Sequence, residues 1–493
     1  MKKLVISKLF LYRHRFIIGY SLLTLAFLAV VFLTPLISPA GISTAEMESV
    51  LVSKSLNFDT LLSNNLIDLP YHALQKLVLA VFGLNFYTIK LPSMLVSLAL
   101  GVFTVLLLNR WFKNNVALLT SILAILSTPF LTLSGTGTPD IMLVFWPTFL
   151  LWLGSKIQGE NAPKPAYCFV FAVALLLAIF TPYLIYFAAF VLLFVCAQPH
   201  LRATIKNLPK FPLVILGLFI IAAAGYLGLN LYETGQLRDL LLAPSSSDAT
   251  YLANLKTAFK TVFSWNGQTD GTILTPLISL PILLFALVGL FSTAKGFLAS
   301  RNSIATCLLV FTAIICGFNP NSIFLISLPI AILTAHGFRY TINKWYDFFP
   351  SNPYARIAGL IPIVALLALI IIPDYENYID GYRYSTTIAP NYTNDLQLIA
   401  NHDLPSTLYL PSISAETAAN SATASAARLK ASFYQLLDSD ELTIVHDLPT
   451  DSDFYTLDKL AQIPENYEIS QIITSPKSEK SDRIYVYSVK TAN

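Results

Sequence analysis

The sequence predicts an all-α polytopic membrane domain of about eleven transmembrane helices, followed by a small extracytoplasmic α/β domain. Three observations carry this. The 493 residues are 55% hydrophobic and only 12% charged, whereas soluble domains carry about 25% charged residues. Apolar runs long enough to cross a bilayer, which takes roughly 20 residues, recur from Phe16 to Asp374 and then stop. Charge is also segregated: the residues after Pro373 hold 17 acids and 8 bases, and those before hold 11 acids and 23 bases. A basic surplus spread between apolar runs belongs to membrane topology and not to a nucleic-acid partner.

Taken in order, Lys2, Lys3, Lys8, Arg13 and Arg15 hold the amino terminus in the cytoplasm. The run 16–37 is too long for the apolar core of a signal peptide and has further spans behind it, so it reads as an uncleaved anchor. Later spans fall at about 92–109, 115–134, 139–155, 165–180, 182–198, 212–231, 273–292, 304–318, 321–338 and 356–373. An odd total puts the termini on opposite sides of what is read as the plasma membrane. The inner connections carry bases, among them Arg110, Lys113, Lys156, Arg202, Lys295, Arg301, Arg339 and Arg356. The short outer turns at 136–138, 181 and 319–321 carry no Lys or Arg. The domains are thus 1–373, with large outer loops at 38–91 and 233–271, and 374–493. In the second, strand-like runs at 407–410, 442–446, 471–474 and 483–489 flank a helical pattern over 415–437. Cys168, Cys196, Cys307 and Cys316 lie inside apolar runs as small hydrophobes.

Carboxylates beside hydrocarbon are costly to keep ionised, which makes them site candidates. In the first loop, Ser43-Thr44-Ala45-Glu46 has the form of a capping box. The same Glu46, favoured as an anion by the helix dipole, is suited to act as a general base or to hold a cation. Both readings stand. Asp140 closes the turn Ser134-Gly135-Thr136-Gly137-Thr138-Pro139-Asp140, where Pro139 starts a helix with Asp140 in its first turn. It complements a helix dipole or joins Glu46 in an acidic cluster. Asp68-Leu69-Pro70-Tyr71-His72 precedes a helical pattern over 73–81, so Asp68 is a helix cap or a metal ligand. His72 reads first as a hydrogen-bonded surface residue, and Asp59 as a solvated loop acid. The loop 233–271 supplies Arg238, Lys256 and Lys260. Lys256 and Lys260 share one helix face beside Phe259 and Phe263, as suits an anionic lipid headgroup or a helix resting on the interface.

These residues resemble the GT-C superfamily of integral membrane glycosyltransferases, in particular the family of protein O-mannosyltransferases and the bacterial lipid A aminoarabinose transferase. Those proteins open with a basic tail, one span, and a loop whose acidic pair starts a helix. An acidic-Lys-Pro-Pro motif follows, then a phrase like Phe-Gly…Arg-Leu-Pro-Ser. Here the corresponding residues are Ala45-Glu46, Asp68-Leu69-Pro70-Tyr71 and Phe82-Gly83…Lys90-Leu91-Pro92-Ser93, with Thr138-Pro139-Asp140 further on. Ala45, Leu69 and Tyr71 depart from the pattern. The resemblance implies an inverting transfer of a sugar from a polyprenyl-phosphate donor to a protein, lipid or glycan acceptor on the outer face. It implies catalysis by Glu46 or Glu48 with Asp140, and donor phosphate contacts from Arg238, Lys256, Lys260 and His72. A divalent cation (Mg, Mn or Zn) would sit at Asp68 and Glu46. Nucleotide sugars are absent on that face, in agreement with the lack of a phosphate-cradling Gly-rich loop. The other readings are a transporter or flippase of a lipid-linked saccharide, and a catalytically degenerate member.

Overall fold

The computed structural model describes residues 10–39, 41–57, 66–158, 165–206, 210–242, 250–264, 273–296, 299–348, 360–385, 387–388, 391–410, 421–438, 442–449, 452–457, 459–460, 466–474 and 482–490. Asp59, Lys2, Lys3, Lys8, Arg356 and the first part of the expected 415–437 helix lie outside them. Helix α1 (Phe10–Ile37) leads into a two-residue strand, β1 (Ile42–Ser43). The first large loop then forms α2 (Thr44–Ser55) and α3 (Leu69–Phe82). The helical domain continues with α4 (Phe86–Trp111), α5 (Asn114–Ile125), α6 (Thr128–Gly135), α7 (Ile141–Ile157), α8 (Pro165–Ala178), α9 (Leu184–Ala197), α10 (Pro199–Lys206) and α11 (Lys210–Glu233). It ends with α12 (Leu237–Leu242), α13 (Tyr251–Phe263), α14 (Leu280–Ala294), α15 (Ser300–Phe318), α16 (Ser327–Phe348) and α17 (Leu360–Tyr384).

Among the described residues, Ile17–Ile37, Phe86–Trp111, Ser300–Phe318 and Pro320–Phe348 are each long and apolar enough to cross a membrane. Five further apolar helices are shorter, at 10–17 residues. The stretch expected as one span over 115–134 is two helices, α5 and α6, bent by 54°. The cause is local: Pro129 sits in the first turn of α6, and a proline cannot continue the ladder of α5. Close approach of helices rests on small residues. A Cβ at Gly289 of α14 would run into the Leu333 carbonyl of α16, and one at Gly337 of α16 into the Phe285 carbonyl of α14.

The apolar run ends at Pro373, yet α17 continues to Tyr384, because Tyr375, Tyr378 and Tyr382 share one face and dock it. Tyr375 Oη is 3.1 Å from Thr34 Oγ1. Tyr378 donates to the Leu131 carbonyl at 3.1 Å and Tyr382 to Thr132 Oγ1 at 3.4 Å. Beyond it come β2 (Tyr392–Thr393), α18 (Asp395–Asn401), β3 (Thr407–Tyr409), α19 (Ser421–Tyr434), β4 (Thr443–Val445), β5 (Phe454–Thr456), β6 (Tyr467–Thr474) and β7 (Arg483–Val489). The expected sheet is present, with strand order β4-β3-β5-β7-β6. Strand β3 runs parallel to β4 and β5, and β7 antiparallel to β5 and β6. Within this sheet, β5 is the strand the sequence pattern does not predict, and the short pair β1 and β2 is likewise outside it.

The first loop is held between the two halves of the chain. Strand β1 pairs antiparallel with β2, Ile42 opposite Thr393 and Ser43 opposite Tyr392. Met47 and Val50 of α2 and Leu79 of α3 share one apolar core with Leu396, Leu408, Phe433 and Ile484 from the carboxy-terminal part. The start of α2 is therefore fixed from both sides.

Candidate active site

Serine at the start of α2 does what its type does best at a helix end. Ser43 Oγ accepts from the Glu46 amide at 3.3 Å, and Glu46 Oε2 accepts from the Ser43 amide at 2.7 Å and hydroxyl at 3.0 Å. The capping box is complete. The other carboxylate oxygen reaches out of the loop: Oε1 accepts the Gly137 amide at 2.7 Å. Lys90, in the first turns of α4, places Nζ 3.9 Å from the same oxygen and donates to the Pro39 carbonyl at 2.8 Å. Glu46 and Lys90 are both fully enclosed. Removing one member of such a pair leaves a buried, uncompensated charge, which is strongly unfavourable. Gly137 is required by space, because a Cβ there would stand 2.5 Å from the Ile89 carbonyl oxygen.

Asp68 and Asp140 are arranged differently. Asp68 occupies the residue before α3, as its sequence suggests, but in the left-handed region (φ 52°) and without capping the helix. Its amide donates to the Phe180 carbonyl at 2.8 Å. Its Oδ1 is buried with no hydrogen-bond partner. Burial raises its carboxyl well above the usual range, and the negative charge of Asp140 raises it further, with Thr181 relieving part of this. Asp140 lies one residue earlier than expected, just before the first turn of α7, half-buried, and Oδ2 accepts from Thr138 Oγ1 at 3.0 Å. Burial raises this carboxyl too, and the Thr138 bond opposes the rise. Within electrostatic reach of the three acids stands Tyr71, buried, its hydroxyl 2.7 Å from Ser93 Oγ. Burial makes it a weaker acid still, and Glu46, Asp140 and Asp68 all act on it in the same direction. Three acids far apart in sequence thus share one neighbour.

Other expected residues are placed elsewhere. His72 is buried, with Nδ1 2.8 Å from Ser53 Oγ. Burial pushes its pKa down to about 4. It is a neutral framework residue near pH 7, where the sequence reading had a phosphate contact. Ser53 and Ser49 donate to Gln75 Oε1 at 2.6 and 2.8 Å. Gln75 Nε2 in turn reaches the carbonyls of Ile89 and Gly137 at 3.3 and 3.4 Å. Glu48 is exposed on the far side of α2 from Glu46. Arg238, Lys256 and Lys260 are exposed, and among the described residues no ion pair joins them to the acids. Of these, only Arg238 belongs to an element next to Asp68. Gln236 Oε1 accepts the Leu66 amide at 2.8 Å, and Leu240 of α12 shares a small core with Leu66 and Phe180. Helix α13, with Lys256 and Lys260, packs on α15 instead, through Asn254 to the Gly317 carbonyl at 3.3 Å.

Lys90, Gln75 and Gly137 were not picked out as functional by sequence reasoning. One signal was available for Lys90. It is a base near the end of a span where the topology expects none, so it needs a buried partner. As for a cation, no three His, Cys, Asp or Glu residues gather among the described residues. Glu46 has both oxygens engaged, so the expected pairing of Glu46 with Asp68 around a metal is not formed. Asp68, with an unpartnered oxygen, and Asp140, which repels it, do fit a divalent cation that takes its other ligands from water or phosphate.

Residues 70–226 match the family description "Dolichyl-phosphate-mannose-protein mannosyltransferase". No curated protein matches the chain. Among solved structures, the chain is similar to the archaeal oligosaccharyltransferase AglB from Archaeoglobus fulgidus, in complex with an inhibitory peptide and a dolichol-phosphate. That similarity has a TM-score of 0.51 at 14% identity over 80% of this chain, which spans only 58% of AglB. It is also similar to ArnT from Cupriavidus metallidurans bound to undecaprenyl phosphate, with a TM-score of 0.50 at 12% identity over 95% of this chain and 98% of ArnT. The chain shares its fold with these two glycosyltransferase structures, which supports the GT-C resemblance read from the sequence.

Proposed function

We propose that the chain transfers a sugar from a polyprenyl-phosphate donor to an acceptor on the non-cytoplasmic face of the plasma membrane, with inversion at the anomeric carbon. In this reading the chain crosses the membrane eleven times from a cytoplasmic amino terminus, and residues 374–493 lie outside. One observation supports it most. Two carboxyls with raised pKa values, one bearing an unpartnered oxygen, lie within electrostatic reach of each other at one end of the helical bundle. The lipid phosphates bound by AglB and ArnT, and the peptide on AglB, make the same classes of ligand reasonable here.

The roles divide by environment. Asp140, half-open and with a pKa moved toward neutrality, takes the proton of the acceptor as its oxygen or nitrogen attacks the anomeric carbon. The bond from that carbon to the phosphate oxygen breaks, and its electron pair leaves with the polyprenyl phosphate. Asp68 stands beside the departing phosphate, and a divalent cation held by Asp68 and Asp140 would neutralise charge there. Arg238, on the element next to Asp68, supplies the cation that Leu69 cannot. Glu46, tied to Ser43, Gly137 and Lys90, fixes the 136–140 turn from which Asp140 projects. Glu48, Lys256 and Lys260 lie outside this inner group.

The test is a sugar-transfer assay with a radiolabelled polyprenyl-phosphate sugar in membranes carrying the intact chain, paired with a protection assay for movement of the lipid-linked sugar across the bilayer. Label arriving on an acceptor is the expected result. Movement across the bilayer without transfer would replace the enzyme by a flippase.

A further inference from the structure

The far end of α4 carries a second cluster, made of cations. From Lys90 to Trp111 the helix rises about 32 Å at 1.5 Å per residue, roughly the thickness of a bilayer core. There Arg301, in the first turn of α15, donates through Nη1 to the Trp111 carbonyl at 2.6 Å. Its guanidinium lies 5.6 Å from the centre of the Phe112 ring. His336 of α16, only 3% exposed, meets the same ring edge-on at 4.8 Å. Arg339, one turn further on and exposed, is close enough that the two guanidinium groups repel. Arg301 Nε and His336 Nε2 are buried without a hydrogen-bond partner. The ion pairs among the described residues are Lys90–Glu46 and Lys430–Asp395, so no acid there answers Arg301 or Arg339.

We infer that this cluster is a binding site for a phosphate group, separate from the acidic site and on the opposite side of the membrane. Two buried donors without acceptors, flanked by two like charges, are each costly alone. One anion with several oxygens resolves all of these at once. Arginine's planar fork suits phosphate, and histidine donates from Nε2 in the tautomer that carries its proton there. At this depth the phosphate is that of an anionic lipid headgroup or a soluble phosphate monoester.

The experiment uses the full chain in neutral detergent and follows thermal unfolding and native mass spectra. The probes are phosphatidylglycerol, phosphatidylcholine and inorganic phosphate. Phosphatidylglycerol or phosphate is expected to bind and raise the melting temperature, with at least a fivefold weaker apparent affinity in Arg339→Gln and in Arg301→Lys. Arg339 is exposed, so Arg339→Gln is expected to melt like the wild type without ligand. An effect of phosphatidylglycerol alone assigns a lipid headgroup, and an effect of inorganic phosphate assigns a soluble phosphate ester. Equal binding of phosphatidylcholine and phosphatidylglycerol with no effect of phosphate, or affinities unchanged in both variants, would overturn the site. Sugar transfer plays no part in these readouts, so failure here leaves the proposed reaction untouched.

Discussion

The two ends of α4 solve the same problem in opposite ways. At the Lys90 end every charge of the hub has an internal answer: Glu46 meets Ser43, Gly137 and Lys90, and Lys90 meets Pro39. At the Trp111 end Arg301 and Arg339 have no acid between them, and buried donors stand open. The closed set of charges holds a backbone turn, and the open set is the one inferred to take a ligand. Beside the closed hub, Asp68 and Asp140 form a small open set of the other sign. In the proposed readings, the cations and acids left unanswered at opposite ends of one helix separate a phosphate site from the site of proton transfer.

The comparison can be broken from the closed end first. Lys90→Met leaves Glu46 buried and uncompensated and should cost about 3–5 kcal/mol, seen as a large fall in melting temperature. Adding Glu46→Gln to it should recover part of the loss. If Lys90→Met melts like the wild type, the hub does not hold the turn. Gly137→Ala pushes a methyl against the Ile89 carbonyl, for a cost of about 1–3 kcal/mol. Its effect should fall on stability and on transfer together, because Asp140 moves with the turn.

Smaller effects come from the open ends. Burial raises the Asp68 and Asp140 carboxyls in the fold, so the folded chain binds protons that the unfolded chain has released. The stability they contribute therefore falls as pH rises from about 4 through their folded pKa values. Asp68→Asn removes that penalty. Its melting temperature should exceed the wild type's at pH 7.5, with the difference closing toward pH 4. An Asp68→Asn variant that melts lower at pH 7.5 would contradict the assignment. Least of all, Arg339→Gln without added lipid should change stability by no more than about 0.5 kcal/mol.

What the sequence disclosed tracks the range of the interactions involved. The capping box at Ser43 and Glu46 was legible because both partners lie within one turn, and the strand at 483–489 because it is long and bounded. Strand β5 is three residues, Phe454–Thr456, buried on both faces, and offers no alternation to read. Asp140 could be named from its Thr-Pro-Asp turn, but its electrostatic proximity to Asp68 is a tertiary fact. The Glu46 bond to Gly137 joins residues 91 positions apart, and Gln75 was invisible for the same reason. The bend between α5 and α6 was readable from Pro129, and a hydropathy window averages over it.

The most direct measurement is the rate of sugar transfer from a polyprenyl-phosphate sugar by Asp140→Asn and by Arg339→Gln, followed against pH. Asp140→Asn should lose transfer by about 10²–10⁴-fold, the range for a lost general base. Arg339→Gln should keep the wild-type rate and an acidic limb lying above the ordinary carboxylate pKa of about 4. Wild-type transfer by Asp140→Asn would contradict the assignment of chemistry to the acidic end of the bundle.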